Sequence, residues 1–274
     1  MADVEDLIAD VLQYFRSHPL PLAGTKMVYT GDLSLSQTRN SRGVPDWLAK
    51  KLDQATFDAS RDNDTMSKHA GEIAKGLLFL AIGGLDECHN IVTPYSWEEW
   101  TAFSGPPVEN SPAEAEATYA HALLHRWEGR HVSELGTGWT NAGFWFSQLT
   151  TSHPLFSLIR EHAISMARDH PDLESHMLQK HRQRWNPDAF ILLCRQACDD
   201  EADRLSWRAF CCNVCEHEWW LLLDACLEIA GYPGAVDSAE ARLASRPKGR
   251  KAFRKLRKRT LADLEETSLD VLPT

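Results

Sequence analysis

The segment Tyr119-Ala-His-Ala-Leu-Leu-His-Arg-Trp-Glu128 predicts a helix with three metal-binding residue types on one face. Residues three and four positions apart lie on the same side of an α-helix, so His121, His125 and Glu128 should project together. Helix faces turned to solvent usually carry lysine, arginine and glutamate, so two histidines one turn apart favour a face turned towards a pocket. A solvated polar face is the alternative that the sequence leaves open.

The residues around this segment set the helix ends and extend the helical pattern. Ser111-Pro-Ala-Glu114 has the sequence of a capping box with proline at the first helical position, and Gly129 is a typical terminator. Apolar residues recur every three or four positions from Val4 to Phe15, and a long helix is expected over Arg204–Ala230. We therefore predict an all-α, single-domain multi-helix bundle.

Shorter helices are predicted between these, from proline and glycine punctuation together with apolar periodicity. They start at Pro45, Thr65, Leu85, Asn141, Pro154 and Asn186, the second and third ending near Ile82 and Val92. Residues 1–245 would form the helical domain, and residues 246–274 a basic C-terminal helical tail.

A second histidine-bearing helix supplies the rest of a candidate metal site. Asp86 and His89 are three residues apart and share a face of the helix that begins at Leu85. His89, His121 and His125 as ligands, with a carboxylate from Asp86 or Glu128, would suit a divalent metal, zinc or non-haem iron. The carboxylate would either bind the metal or hold an imidazole in the correct tautomer.

A dinuclear version of the site is an alternative. Asp86-x-x-His89 and Glu128-x-x-His131 each match the carboxylate-x-x-histidine element of helical di-iron proteins, and Glu72 or Glu218 would add carboxylates. His131 lies beyond Gly129, however, where the helix should have ended.

Charge is distributed unevenly. The net charge is −10, yet residues 246–259 hold nine basic residues and no acidic one, which leaves −19 on the remainder. Such a tail could bind nucleic acid, but we favour a tail that is solvated or docked on its own acidic domain.

The seven cysteines do not indicate a disulfide scaffold, because their number is odd and their spacing irregular. Cys212-x-x-Cys215-x-His217 resembles a zinc motif, but it lies within a continuous helical pattern, so buried thiols are favoured. The acidic start is unlike a secretory signal, and the apolar run Gly76–Leu85 is too short to span a bilayer. A cytoplasmic protein without a membrane span is expected, and the sequence does not indicate its oligomeric state.

Several catalytic templates are absent. A zincin helix has its glutamate directly after the first histidine, whereas Glu128 follows the second, and phosphate-loop, nucleophile-elbow and Rossmann motifs are missing. Five of the ten tryptophans fall near the histidine-rich region and could wall an aromatic pocket: Trp97, Trp100, Trp127, Trp139 and Trp145.

Four segments together resemble a family of fungal and bacterial proteins that has no assigned activity. They are Leu85–Ile91, His121–Glu128, Asn141-Ala-Gly-Phe-Trp-Phe146 and His153-Pro-Leu-Phe156. The shared pattern is His-x-x-x-His-Arg-x-Glu, then Asn-x-x-x-Trp-Phe and a His-Pro-aromatic helix start. The resemblance implies grouping only, and it draws attention to the residues that it covers: Asp86, His89, His121, His125, Arg126, Glu128, Asn141 and Trp145.

These observations lead to one functional hypothesis and two alternatives. The hypothesis is an enzyme for a small organic molecule, in which the three histidines bind a divalent metal or act as acid/base groups. Glu128 or Asp86 would orient an imidazole or move a proton. Arg126 or Asn141 would hold an anionic or polar group of the substrate. The first alternative is a non-catalytic interaction protein whose basic tail contacts nucleic acid or membrane. The second is an RNA-dependent enzyme that uses the tail to bind its substrate.

Overall fold

The structure, a computed structural model, describes residues 2–19, 22, 45–57, 64–102, 104–133, 136–149, 153–168, 170–199 and 205–245. Helices make up 75% of it, which confirms the all-α fold class. Extended structure in these ranges is limited to a two-residue hairpin, β1 (Val132–Ser133) antiparallel to β2 (Gly136–Thr137), and one bridge between Thr101 and Gly105. The predicted basic tail, residues 246–274, lies outside the described residues, and so does the prediction of its partners.

Eleven helices follow one another in the described part of the chain. They are α1 (Ala2–Ser17), α2 (Asp46–Gln54), α3 (Thr65–Ala81), α4 (Leu85–Ser96), α5 (Glu114–Glu128), α6 (Gly138–Gln148), α7 (Leu155–Ala167), α8 (Pro171–Lys180), α9 (Pro187–Asp199), α10 (Leu205–Ile229) and α11 (Ala235–Ser245). None of them is long and apolar enough to cross a membrane.

Helix α3 lies at the centre of the core. Its N-cap is Asp64, whose side chain accepts hydrogen bonds from the backbone N–H groups of Met66 and Ser67. Residues 77–82 are all buried, and the helix packs against α4, α5 and α10. Gly71 is required where α3 meets the segment after α2, because a Cβ atom there would lie 1.7 Å from the carbonyl oxygen of Phe57.

Helix α5 is the element that carries the candidate site. It packs against α4 on one side and α6 on another, and α10 covers a further part of its surface. Every residue from Ala117 to Glu128 is buried. The solvated-face interpretation of His121, His125 and Glu128 is therefore wrong.

The capping-box prediction for α5 is wrong, although the helix lies where it was expected. The helix begins at Glu114, and the preceding Ala113 makes no side-chain cap. The Ser111 hydroxyl instead accepts from the Ala113 N–H and contacts Nδ1 of His69. At the other end Gly129 terminates the helix as expected, with φ 66° and its N–H bonded to the His125 carbonyl.

Two helices were not identified from the sequence. Helix α8 buries only Leu173 and Met177, and α11 buries Ala235, Ala239 and Leu243, so neither carries a wide apolar face. Their patterns are short and weak, and packing against the rest of the chain stabilises them. His170 followed by Pro171 at the start of α8 was a usable signal of the kind recognised at Asn186.

Cysteine placement agrees with the buried-thiol interpretation. None of the seven cysteines forms a disulfide within the described residues, and five are buried. Burial raises the pKa values of Cys212 and Cys215, to about 12 for Cys212, which keeps both as thiols at neutral pH. Within the described residues, the Cys212-x-x-Cys215-x-His217 segment does not form a group close enough to bind a metal ion.

Candidate metal centre

The structure brings together the three histidines that the sequence selected as metal ligands. One ring nitrogen from each of His89, His121 and His125 lies within 4.8 Å of those of the other two. The three residues are 6%, 1% and 3% exposed. Three buried imidazoles that converge on one point could hold a metal ion.

The cluster forms where two polar helix faces meet inside an otherwise apolar core. Helix α4 contributes a face with Asp86, His89, Thr93 and Ser96 at three- and four-residue spacing, and these are buried or half-buried. Helix α5, packed against it, contributes the face that begins at His121. Helical periodicity and the packing of α4 on α5 are therefore enough to assemble the site.

Hydrogen bonds select one tautomer for His121. The Ser96 hydroxyl donates its proton to the Val92 carbonyl at 3.0 Å, so its oxygen must accept from Nδ1–H of His121, also at 3.0 Å. The Nε2 atom of His121 therefore carries the lone pair. That atom is buried and has no hydrogen-bond partner among the described residues.

His125 and His89 are oriented in the same sense. Nδ1 of His125 donates to Oε2 of Glu128 at 2.9 Å. Thr93 gives its own proton to the His89 carbonyl at 2.6 Å, so its oxygen can only accept from Nδ1 of His89, 3.4 Å away. Nδ1 held by an oxygen atom and Nε2 left for the ion is the usual arrangement of metal-binding histidines.

Burial keeps the three imidazoles neutral. It lowers the pKa of His125 to about 3, and burial together with the neighbouring His125 lowers that of His89 to about 3, against a weaker opposing effect of Asn90. Burial, His89 and His125 lower the pKa of His121 well below its ordinary value. Neutral imidazole is the form that binds metal.

Glu128 shifts in the opposite direction. Burial raises its pKa to about 7, although the nearby His131 counteracts this. Because His125 stays neutral, its contact with Glu128 is a hydrogen bond from an imidazole to a carboxyl group rather than an ion pair. The carboxyl group can therefore orient His125 and also hold or release a proton near neutral pH.

Aromatic rings cover one side of the cluster, as predicted for part of the tryptophan set. Trp145 of α6 stacks on His121 with ring centroids 3.7 Å apart and an angle of 18° between the planes. Trp97 contacts Trp145 edge-on at 5.7 Å. Trp100 is different, because it is 67% exposed and does not wall a pocket.

Asn141 presents a second unpartnered polar atom. It is buried on α6 one turn before Trp145, and its Nδ2 has no hydrogen-bond partner among the described residues. On the same face, Gly138 touches α5 so closely that a Cβ atom would lie 2.5 Å from the His125 carbonyl oxygen. Asn141 thus lies between two residues that contact the histidine cluster.

Arg126 lies on another side of α5. Its guanidinium pairs with Glu218 of α10 at 2.5 Å, and both side chains are almost completely buried. The Tyr119 hydroxyl donates to the other oxygen of Glu218 at 2.5 Å. Phe146 and Phe190 lie against the guanidinium, 5.8 and 5.2 Å from it. The structure thus places Arg126 in a core ion pair.

The carboxylates proposed for a dinuclear site are not part of the cluster. In the described residues, the group close enough to hold a metal contains only the three histidines. Asp86 is buried one turn before His89, Glu218 is paired with Arg126, and His131 lies beyond the end of α5. The geometry therefore favours one ion.

Sequence reasoning missed the two hydroxyl residues and the role of Trp145. Thr93 and Ser96 continue the spacing of Asp86 and His89 by four and then three residues, so the helical face was readable from the sequence. That Trp145 stacks on His121 depends on how α6 packs on α5, which no local pattern specifies.

Comparison with known proteins adds no assignment, since no family model, curated protein or solved structure matches this chain.

Proposed function

We propose that this protein is a metal-dependent enzyme that acts on a small organic molecule, with a divalent zinc or iron ion bound by His89, His121 and His125. One observation carries the proposal: Nε2 of His121 is buried without a partner and faces a cluster of two other neutral imidazoles. An unpaired buried polar atom destabilises a fold by about 1–3 kcal/mol, and a metal ion bound by the three neighbouring imidazoles would supply the missing partner.

The donor set suits a catalytic ion. Three neutral nitrogen ligands leave its positive charge uncompensated and a fourth position open, so the ion would polarise a bound water molecule or a substrate carbonyl. The protein residues have separate tasks. Ser96 and Thr93 hold the rings of His121 and His89 by their Nδ1 atoms.

Proton transfer and substrate binding are assigned to residues beside the cluster. Glu128 holds His125 and, with a pKa raised to about 7 by burial, can accept or donate a proton at neutral pH. Asp86 is a further candidate for proton transfer because it is buried one turn from His89. Asn141 offers its unpartnered N–H to a polar group of the substrate. Arg126, held by Glu218, stabilises α5 in this proposal instead of binding substrate.

Metal analysis of the purified protein tests the proposal. We expect zinc or iron near one equivalent per chain, and a loss of that metal in His121→Ala and in His125→Ala with the helical circular dichroism unchanged. His217→Ala is the matched control, because His217 is a half-buried histidine on α10 that stacks on His162 at 3.7 Å. A native chain that binds neither metal on addition, or equal binding by the His121 and His125 variants, would contradict the proposal.

A further inference from the structure

A pocket of about 270 Å³ lies at the end of α4, next to the metal centre. Its walls come from the last turn of α4, from residues 97–98, from the loop at residues 107–110 and from the start of α5. The loop is fixed against α4 because the Val108 N–H donates to the Pro94 carbonyl at 2.7 Å. A concavity of this size accommodates a small molecule.

The lining has the chemistry of a cation site. Tyr95 and Trp97 line the wall together with Glu98, Glu109 and Glu114, and the lining contains no basic side chain. Across the described residues none of these three glutamates forms an ion pair. Aromatic faces and carboxylates both attract positive charge.

The arrangement of the carboxylates points to an organic cation rather than a metal ion. Within the described part of the chain, the only group of ligand atoms within 4.8 Å of one another is the histidine cluster. Glu98, Glu109 and Glu114 therefore do not converge on one point. They are spread around a space that also presents two aromatic rings, and this matches a molecule with a charged group and an apolar part.

The pocket adjoins the metal centre through two of its own lining residues. Ser96 accepts the hydrogen bond from Nδ1 of His121 at 3.0 Å. Trp97 contacts Trp145 at 5.7 Å, and Trp145 stacks on His121. A molecule bound in the pocket would therefore lie one side chain away from a metal ligand.

We propose that this pocket is a binding site for a small organic cation, such as a primary ammonium compound with an aromatic or aliphatic body. Glu98, Glu109 and Glu114 hold the charged group, and Tyr95 and Trp97 pack on the body. None of these residues is a proposed metal ligand, and Trp97 reaches the histidines only through Trp145, so the proposal holds whether or not the histidines bind a metal.

Titration of the metal-free full-length chain, in the presence of a chelator, tests the site. Benzylammonium should quench or shift the tryptophan fluorescence in a saturable way, because Trp97 lines the pocket. Benzoate, which has the same ring and the opposite charge, should bind at least about tenfold more weakly, since three carboxylates repel it. Absence of benzylammonium binding, or equal binding of the two probes, would overturn the proposal.

Substitution of the carboxylates locates the site. The triple variant Glu98→Gln, Glu109→Gln, Glu114→Gln should lose roughly tenfold in benzylammonium affinity, since each exposed charge pair contributes modestly. All three positions are exposed, so the fold should be kept. The control variant removes three exposed carboxylates outside the lining: Glu99→Gln, Glu161→Gln and Asp172→Asn. Equal loss in both variants would mean that net charge alone attracts the probe, and no loss in the first would mean that the pocket is not the site.

Both measurements are made without metal. Failure of the cation site therefore leaves the metal proposal standing, and failure of metal binding leaves the cation site standing.

Discussion

Two buried polar clusters share α5, and they differ in charge and in what their atoms can bind. On one side, the charge of Arg126 is matched by Glu218, and Tyr119 completes the carboxylate. On the other side, His121 and its two partners have oxygen atoms on Nδ1 but present an unpartnered Nε2 on His121. The charges of the first cluster are paired within the protein, although Nε and Nη1 of Arg126 have no hydrogen-bond partner among the described residues. In the histidine cluster, three potential metal-ligand nitrogens lie close together, and Nε2 of His121 has no partner. An unpartnered buried atom therefore indicates a functional site only where other ligand atoms converge with it.

Substitutions in the two clusters should have different effects: a change in the ion pair should mainly lower stability, and a change in the histidine cluster should mainly lower metal affinity. Glu218→Gln leaves the Arg126 charge buried without its partner and should lower the free energy of unfolding by about 3–5 kcal/mol. His125→Asn keeps an N–H towards Glu128 and should cost no more than about 1–2 kcal/mol. Urea denaturation of both variants in chelator measures the difference.

Metal binding should show the reverse order. The folded fraction of Glu218→Gln should keep its affinity for zinc, while His125→Asn should lose it. The double variant Arg126→Met, Glu218→Leu is the control, since replacing a buried ion pair with apolar residues is often neutral. If Glu218→Gln abolishes zinc binding at native stability, Glu218 serves the metal centre and the distinction between the clusters fails.

The local pattern predicted the histidine cluster and left the ion pair unrecognised. His121 and His125 are four residues apart, so their shared face follows from helix geometry alone. That His89 joins them was a reasonable inference from its place on the neighbouring helix. Glu218 is 92 residues from Arg126, and the sequence analysis considered it only as an additional carboxylate for a dinuclear metal site. Its true partner depends on the packing of α10 against α5, which sequence periodicity does not specify.

The close contact between α6 and α5 allows a second test of the histidine cluster. Gly138→Ala places a methyl group 2.5 Å from the His125 carbonyl and from the Gly129 nitrogen, so α6 must shift away. We expect a loss of about 1–3 kcal/mol in stability, typical of overpacking, and a weaker affinity for zinc. Thermal unfolding and zinc titration measure the two effects.

Gly143→Ala is the matched control for Gly138→Ala. Gly143 lies on the same helix, and the nearest atom to an added Cβ is an Asp188 carboxylate oxygen at 3.7 Å. It should leave zinc affinity nearly unchanged and raise the free energy of unfolding by up to about 1 kcal/mol, because alanine favours the helix over glycine. Loss of stability in Gly138→Ala with full zinc affinity would show that the site tolerates movement of α6, and that Trp145 is not needed to hold His121.

Substitution of Glu128 tests whether hydrogen bonds to Nδ1 orient the rings of the histidine cluster. Glu128→Gln keeps the shape and an oxygen acceptor for Nδ1 of His125 but loses the charge. Zinc affinity should fall by about 10–100-fold, the usual effect of changing the partner of a metal-binding histidine. Competition with a zinc indicator measures it. An unchanged affinity would mean that the carboxyl group is already protonated in the resting protein, in line with its raised pKa.

Acid sensitivity tests the protonation of the histidine cluster directly. The pKa of His125 is lowered by burial from about 6.5 to about 3, so below pH 6.5 the unfolded chain takes up a proton that the folded chain refuses. Stability contributed by the neutral ring is therefore complete above pH 6.5 and is lost as the pH falls. Relative to His125→Asn, the native chain should lose about 2 kcal/mol of its free energy of unfolding between pH 6.5 and pH 5. The uptake of one proton by the unfolded chain changes this free energy by about 1.36 kcal/mol per pH unit.

Urea denaturation at pH 7, 6 and 5 in chelator measures this difference. Glu128, whose raised pKa acts in the opposite direction, is present in both chains, so its effect largely cancels in the comparison. Parallel curves would mean that His125 takes up its proton equally in the folded state. The cluster would then be accessible to water, and Nε2 of His121 would be hydrated, so it would not need a metal ion as its partner. We expect the native chain to lose stability relative to the variant on acidification and to regain it when zinc is added at pH 6. That result would show that the ion binds and stabilises the histidine cluster.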